Sequence, residues 1–310
     1  MKFYINIKKT YYKLHFSVNL LAKLSRLFLN SFYSFSKSLE HNKYTYLARS
    51  HCIEKGFSAK NRKANFGNSY IIKENERKKI DTYYEHQYLK QISDDLEKYN
   101  YNNNNLLSDD ISTKYLYREK KRKKIDKNTK ANFLKYFRGR FSIRYFEDYK
   151  IPKKEINEIC KYAFSAPSAC NRQPYFLNWI QNKFLIKEIL KVQGGSRTFI
   201  DNVYNLVLVL ADRDAVLNHN EVIQPTICSS LMAMLLVQGL DIYGYGSVTL
   251  AMPDNQTKWI KIKKLISKNH NYTNNSLYPI MIIACGKPLK NQLIPPSIRR
   301  PYKDMINIIT

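Results

Sequence analysis

The sequence predicts an α/β or α+β sandwich in which helices cover a sheet. Short apolar runs rich in β-branched residues alternate with helical stripes in the second half of the chain. All ten prolines lie between Pro152 and Pro301, and seven of the nine glycines lie from Gly139 onward. Because these residues punctuate turns, a compact domain is predicted in that half.

Four helices and four strands are predicted there. The helices lie directly after Pro152 and at residues 184–192, 222–240 and 256–267. The strands lie at residues 175–181, 204–210, 243–250 and 278–285. The helix at 222–240 is almost wholly apolar, so we expect it to be buried on every side.

The first 130 residues differ in character, being basic, rich in tyrosine and free of proline. Apolar residues recur every four positions from Ile80 to Leu96, which predicts an amphipathic helix over residues 75–99. Residues 18–29 predict another. We therefore divide the chain into a mainly helical extension, 1–130, and a domain, 131–310.

A net charge of +27 is typical of proteins that bind a nucleic acid, a membrane surface or small anions. It can also result from a coding sequence that has become rich in A and T, because Lys, Asn, Tyr and Ile are then abundant together. The basic run at 118–124 has no accompanying nucleic-acid motif, so no such partner is predicted. The five cysteines and six histidines lack metal-ligand or disulfide spacing, which favours a reduced, cytoplasmic protein without a metal. The longest apolar run, 226–240, is shorter than the roughly 20 residues of a bilayer span, so no transmembrane segment is expected.

Two segments carry the polar chemistry. In an extended strand, Arg140, Ser142 and Arg144 point to one side, where two guanidinium groups and a hydroxyl suit a phosphate, although ordinary surfaces carry this pattern too. The loop 165–176 combines small residues with Asn171 and Gln173, whose amides can recognise the edge of a heteroaromatic ring. Cys170 in this loop is interpreted as a small filler, with a reactive thiol as the alternative.

The pattern R-x-S-x-R-x-F followed by A-P-S-A-x-N-x-Q-P resembles the FMN-binding signature of the nitroreductase family. The similarity runs from about residue 131 to the C-terminus. It implies a nitroreductase-like α+β fold, a three-layer α/β/α sandwich with a central mixed or antiparallel sheet. It also implies a homodimer in which the long apolar helix forms much of the interface and FMN sits where the subunits meet.

The resemblance implies a role for each matching position. The first motif, with Arg299 or Arg300 near the C-terminus, would bind phosphate and ribityl oxygens, and Arg197 would lie toward the flavin pyrimidine or ribityl chain. The loop would lie along the isoalloxazine ring, and the glycine turn, residues 244–247, would place an amide of Gly246 or Ser247 at flavin N5. The implied cofactor-binding residues are Arg140, Ser142, Arg144, Pro167, Ser168, Asn171, Gln173, Arg197, Gly246, Ser247 and Arg299.

The implied activity is that of an FMN-dependent oxidoreductase: NAD(P)H reduces FMN, which then reduces a second small molecule by a two-step, ping-pong mechanism. FMN carries the chemistry, so no catalytic side chain is predicted. Two alternatives stay open, namely an FMN-binding protein of this fold that does not use NAD(P)H, and a basic module for RNA or a membrane surface. Residues 51–57 are similar to an H-x-I-E-K-G segment ahead of nitroreductase-like domains in polysaccharide gene clusters, although Gly56 could simply end a helix.

Overall fold

The computed structural model describes residues 43–58, 67–71, 84–101, 125–252, 256–267 and 276–309. The described helices are α1 (Lys43–Ser58), α2 (Tyr84–Tyr101), α3 (Lys127–Arg138), α4 (Lys153–Ala163), α5 (Lys183–Gln193), α6 (Gln224–Ile242) and α7 (Gln256–Ser267). The described strands are β1 (Tyr175–Ile180), β2 (Asn205–Asp212), β3 (Gly246–Ala251) and β4 (Leu277–Gly286). All eight elements predicted after residue 151 are confirmed, with ends shifted by a few residues.

The four strands form one sheet in the order β1-β2-β4-β3, and each neighbouring pair is antiparallel. All eight residues of β2 are buried, because this strand is central and both faces of the sheet are covered. Helices α5 and α7 pack on one face of the sheet and form one apolar cluster with it. Helices α4 and α6 pack on the other face and form a second cluster. The predicted three-layer sandwich is therefore confirmed, and its sheet is antiparallel apart from a single parallel bridge between Ser142 and Ser247.

Helix α6 is buried on one side within the single chain, and its expected burial on every side stays a prediction. Met232, Leu236 and Leu240 are fully buried against the sheet, whereas Leu231 and Met234 remain 44% and 50% exposed. In the described part of the chain, α6 is the one helix whose length and composition would let it cross a membrane, and half of it is buried inside the structure. Its outward face is apolar and uncovered in the single chain.

The described part of the extension has a small core of its own. Helices α1 and α2 pack together through Tyr46, Ile53, Phe57, Leu89, Ile92 and Leu96. Helix α2 contains residues 84–99 of the predicted 75–99 helix; residues 75–83, the predicted helix at 18–29 and the basic run at 118–124 lie outside the described residues. The boundary at residue 130 stays a prediction.

Several contacts among the described residues join the extension to the sandwich. The Tyr44 hydroxyl donates a buried hydrogen bond of 2.7 Å to Asp212 Oδ2 at the end of β2. The Lys43 ammonium lies 5.1 Å from the centre of the Phe176 ring on β1. Helix α1 also packs against the turn Ala169–Asn171, which lies in one of the two segments identified from the sequence.

Helix α3 was not predicted. It begins after Asp126, whose carboxylate accepts a hydrogen bond of 2.9 Å from the Thr129 amide, and none of its residues is buried. Its apolar residues Phe133, Leu134 and Phe137 are 53%, 45% and 42% exposed, so the apolar face of this helix is not buried among the described residues.

Candidate functional site

The structure brings the arginine motif and the glycine turn together. The Ile143 amide donates a hydrogen bond of 2.9 Å to the Ser247 carbonyl, and Ser142 forms a bridge with Ser247. A Cβ atom on Gly246 would lie 2.7 Å from Ile143 Cβ, so only glycine allows this approach. Arg140, Ser142 and Arg144 are partly buried beside the turn, and we call these five residues, Arg140, Ser142, Arg144, Gly246 and Ser247, the arginine corner.

The side chain of Tyr245 anchors the glycine turn to α4 and to Tyr149. Its hydroxyl donates a hydrogen bond of 2.7 Å to Glu155 Oε2 on α4, and its ring stacks on Tyr149 with 6.3 Å between centres. Burial, with the bond to Glu155, raises the pKa of Tyr245, so the phenol stays neutral and donating. The amides at the start of β3 are thereby held in place.

The loop between α4 and β1 is the second cluster, and its backbone is strained. Cys170, Asn171 and Gln173 adopt φ values of 49°, 52° and 51°, a region that residues other than glycine rarely occupy. The Ser168 hydroxyl accepts a hydrogen bond of 3.0 Å from the Gln173 amide, which closes the loop. Asn171 and Gln173 are exposed, and we call Pro167, Ser168, Asn171 and Gln173 the amide loop. Such strain is typical of binding sites.

Arg172 secures this loop, although the sequence analysis did not select it. Its side chain is 2% exposed and donates three hydrogen bonds: to the carbonyls of Ala169 at 3.0 Å and Ala215 at 2.7 Å, and to Glu221 Oε2 at 2.7 Å. Glu221 lies 49 residues away and its carboxylate is 27% exposed. The sequence gives one indication of this role, a basic residue between Asn171 and Gln173. That indication does not identify Glu221 as the partner of Arg172.

The arginine corner and the amide loop lie at opposite corners of the sheet in one chain. Tyr175, which follows the loop, aligns through Ala211 with Tyr278, whereas Gly246 pairs with Gly286. These two positions on β4 are about 26 Å apart at 3.3 Å per residue, and β1 and β3 are about 14 Å apart across three strand spacings. A single subunit therefore does not join the two clusters.

Helix α6 connects these corners. Near its start, Cys228 Sγ accepts a hydrogen bond of 3.3 Å from the Ala169 amide. Near its end, the Leu240 carbonyl accepts one of 2.9 Å from the Tyr245 amide. The exposed apolar face of the helix runs from one corner to the other, through residues Ile223, Ile227, Leu231, Met234 and Ile242.

The remaining predicted residues are Arg197 and Arg299, with Arg300 as the alternative to Arg299. Arg197 follows α5 and is exposed, while Arg299 and Arg300 are exposed in the C-terminal segment. Within the described residues, no hydrogen bond or ion pair joins Arg197 or Arg299 to the arginine corner or the amide loop. Their assignment stays a prediction. No group of three or more histidine, cysteine or acidic side chains in the described ranges could hold a metal ion.

The family match covers the arginine motif and the amide loop and ends before the glycine turn. Residues 137–236 match the model of the nitroreductase family. A nitroreductase-like protein from Streptococcus mutans is 22% identical, with 58% of this chain and 99% of that chain covered and a TM-score of 0.48. An FMN-dependent nitroreductase from Clostridium difficile is 18% identical, with 57% and 99% covered and a TM-score of 0.47. A structure from Exiguobacterium sibiricum, described as a nitroreductase in complex with FMN, is 20% identical, with 57% and 97% covered and a TM-score of 0.47. No curated protein matches the chain.

Proposed function

We propose that this chain, whose residues 137–236 belong to the nitroreductase family, is an FMN-dependent oxidoreductase that is reduced by NAD(P)H and then reduces a second small molecule. The observation that carries the proposal is the arginine corner. Its two arginines and Ser142 lie inside the matched residues, and Gly246 and Ser247 follow shortly after them. Arg140, Ser142 and Arg144 are partly buried on a segment whose backbone is bonded to the glycine turn at Ser247. This donor set suits a phosphate joined to a ring rich in acceptor atoms.

The guanidinium groups of the arginine corner are available to bind an anion. Among the described residues, no carboxylate lies within ion-pair distance of Arg140 or Arg144, and the Arg144 side chain makes one long contact, 3.5 Å, to the Ser142 carbonyl. These side chains would bind the FMN phosphate and ribityl oxygens, and the amides of Gly246 and Ser247 would orient the ring. FMN, when bound, supplies the hydride chemistry. The protein binds it, orients it and excludes water.

A site shared between two subunits accounts for the separation of the two clusters. If the apolar faces of two α6 helices pack antiparallel about a twofold axis, the amide loop of one subunit meets the arginine corner of the other. The helix has 19 residues, about 28 Å at 1.5 Å per residue, which is similar to the separation of the corners. Burial of Leu231 and Met234 would also cover apolar surface that the single chain leaves exposed.

The extension would form a wall of the pocket and determine substrate choice, because α1 packs against the turn Ala169–Asn171. Free cysteines at all five positions support a cytoplasmic location. A role in polysaccharide synthesis rests on residues 51–57 alone and stays a prediction.

The absorption spectrum tests this function directly. Protein incubated with FMN and freed of unbound flavin should be yellow, and its flavin absorbance should bleach when NADH or NADPH is added without oxygen. Protein that stays colourless after incubation with FMN would contradict the proposal. Bound flavin that bleaches with dithionite but with neither nicotinamide would favour the alternative in which the fold does not use NAD(P)H.

Replacing Arg140 by alanine should weaken FMN binding while leaving the fold intact. A charged hydrogen bond contributes about 1.5–3 kcal/mol, so the Kd for FMN should rise about 10- to 150-fold. The matched control is Arg138→Ala, which removes an exposed arginine from the last turn of α3. Fluorescence titration with FMN measures both variants, and an unchanged Kd in Arg140→Ala would remove this residue from the site.

A further inference from the structure

Asn205, the first residue of β2, is completely buried, and its side-chain amide binds the backbone of the segment that precedes α4. Its Nδ2 donates a hydrogen bond of 2.9 Å to the Tyr149 carbonyl, and its Oδ1 accepts one of 3.0 Å from the Ile151 amide. Gln181, which follows β1, donates from Nε2 to Asn205 Oδ1 at 2.7 Å and to the Ile151 carbonyl at 2.8 Å. The backbone of residues 149–151 is therefore fixed to the sheet from both ends.

This amide is a polar exception in an apolar strand. Apolar residues fill β2 from Leu206 to Ala211, and burying an amide among them costs free energy unless its donor and its acceptor are both bonded. Both are bonded here, to Gln181 and to backbone atoms 54 and 56 residues earlier in the chain. A satisfied buried network of this kind selects one conformation of the loop that it binds.

The fixed loop presents the ring of Tyr149 to the residue before the glycine pair of β3. This ring is 37% exposed and stacks on the ring of Tyr245 with 6.3 Å between centres. Tyr245 immediately precedes Gly246, and its amide donates a hydrogen bond of 2.9 Å to the Leu240 carbonyl. Its hydroxyl bond to Glu155 leaves the ring able to turn about its own long axis, so the stack is what restrains the plane of the ring.

We propose that Asn205 and Tyr149 are positioning residues for FMN. Asn205 fixes the loop, the ring of Tyr149 then fixes Tyr245, and Tyr245 places the amides of Gly246 and Ser247. The inference rests on the proposed function. An amide N–H at flavin N5 donates well to the oxidised ring, whose N5 has a free lone pair, and poorly to the reduced ring, whose N5 carries a proton. Its position therefore sets the relative affinity of the site for the two forms, and with it the midpoint potential of bound FMN.

Potentiometric titration of the FMN-loaded protein measures this effect without turnover. Tyr149→Leu should weaken the binding of oxidised FMN about tenfold relative to reduced FMN, which raises the two-electron midpoint potential by about 30 mV. Asn205→Ala should shift the potential in the same direction. The double variant should shift it no further than Tyr149→Leu alone, because both residues act through one ring. Shifts that add would overturn the proposed order of contacts.

Three further variants serve as controls and as a substitute. Tyr149→Phe keeps the stacked ring and should change the ratio of the two affinities less than twofold. Phe133→Leu removes a ring from a similarly stacked pair on α3, with 6.1 Å between centres, and should leave the potential unchanged. If Asn205→Ala does not fold, Gln181→Ala takes its place, because it removes two bonds of the same network from a less buried position.

Amide hydrogen exchange tests the positioning without flavin. In FMN-free protein, the peptide that spans residues 244–247 should exchange about tenfold faster in Tyr149→Leu than in wild type, and at the wild-type rate in Phe133→Leu. Wild-type exchange and potential in Tyr149→Leu would overturn the inference while leaving the proposed function standing. Wild type that binds no FMN would instead overturn the proposed function, and with it the role of these residues toward the flavin.

Discussion

Replacing Arg172 by methionine is expected to lower the free energy of unfolding by about 3 kcal/mol and to weaken FMN binding at least tenfold. Methionine fills much of the same volume but leaves Glu221 and the carbonyls of Ala169 and Ala215 without their donor. Removing one partner of a buried ion pair costs about 3–5 kcal/mol, and the 27% exposure of the Glu221 carboxylate places this case at the lower end.

The loss of FMN binding would follow from the strain in the loop. Cys170, Asn171 and Gln173 hold positive φ values that cost about 1–3 kcal/mol each and persist only while surrounding contacts enforce them. Arg172 lies between these residues, so its removal lets the loop relax to an ordinary conformation. Asn171 and Gln173 would then point away from the positions that the flavin ring requires.

Urea unfolding and FMN titration measure the two effects. The control is Lys161→Met, which breaks an ion pair of 3.0 Å with Glu158 whose side chains are 73% and 45% exposed. Since such surface pairs contribute at most about 1 kcal/mol, its unfolding midpoint should lie close to that of wild type. Arg172→Lys keeps the charge without the forked geometry and should fall between the two. If Arg172→Met unfolds at the same urea concentration as wild type, the loop does not depend on this residue.

Strand β2 could be predicted from the sequence, whereas the role of Arg172 could not. The strand is apolar because both faces of the sheet are covered, a local pattern that needs no knowledge of its neighbours. The role of Arg172 depends on Ala215 and Glu221, which the fold brings close only after β1 and β2 have paired. Patterns predict elements, whereas contacts between distant loops require the register of the sheet.

Three further features show the same limit. The contact of Ser142 with Ser247 joins segments more than one hundred residues apart, and only the resemblance to a family linked them beforehand. Helix α3 was not predicted, although Phe133, Leu134 and Phe137 stand at helical spacing, because it crosses the boundary assigned at residue 130. The strained backbone at Cys170 was invisible too, since nothing about a cysteine indicates a positive φ.

Restoration of FMN binding in a mixed dimer is the second large expected effect. In a twofold dimer with shared sites, each site takes its arginine corner from one subunit and its amide loop from the other. Dimers of Arg144→Ala, and dimers that combine Asn171→Ala with Gln173→Ala, should each bind FMN at least tenfold more weakly than wild type. A heterodimer of these two chains has both defects in one site and none in the other, so it should bind one FMN per dimer with wild-type affinity.

Two affinity tags and sequential purification isolate the heterodimer, and flavin absorbance per dimer gives the result. The matched control combines Arg140→Ala with Arg144→Ala, which lie in the same cluster. Each site of that heterodimer keeps one defective arginine corner, so no tight site should return. Failure of the first heterodimer to regain a tight site would show that both clusters do not serve one flavin across the interface. Recovery would explain why one chain holds the two proposed ligand-binding clusters about 26 Å apart along the sheet, at 3.3 Å per residue, because the second subunit would bring the missing half to each.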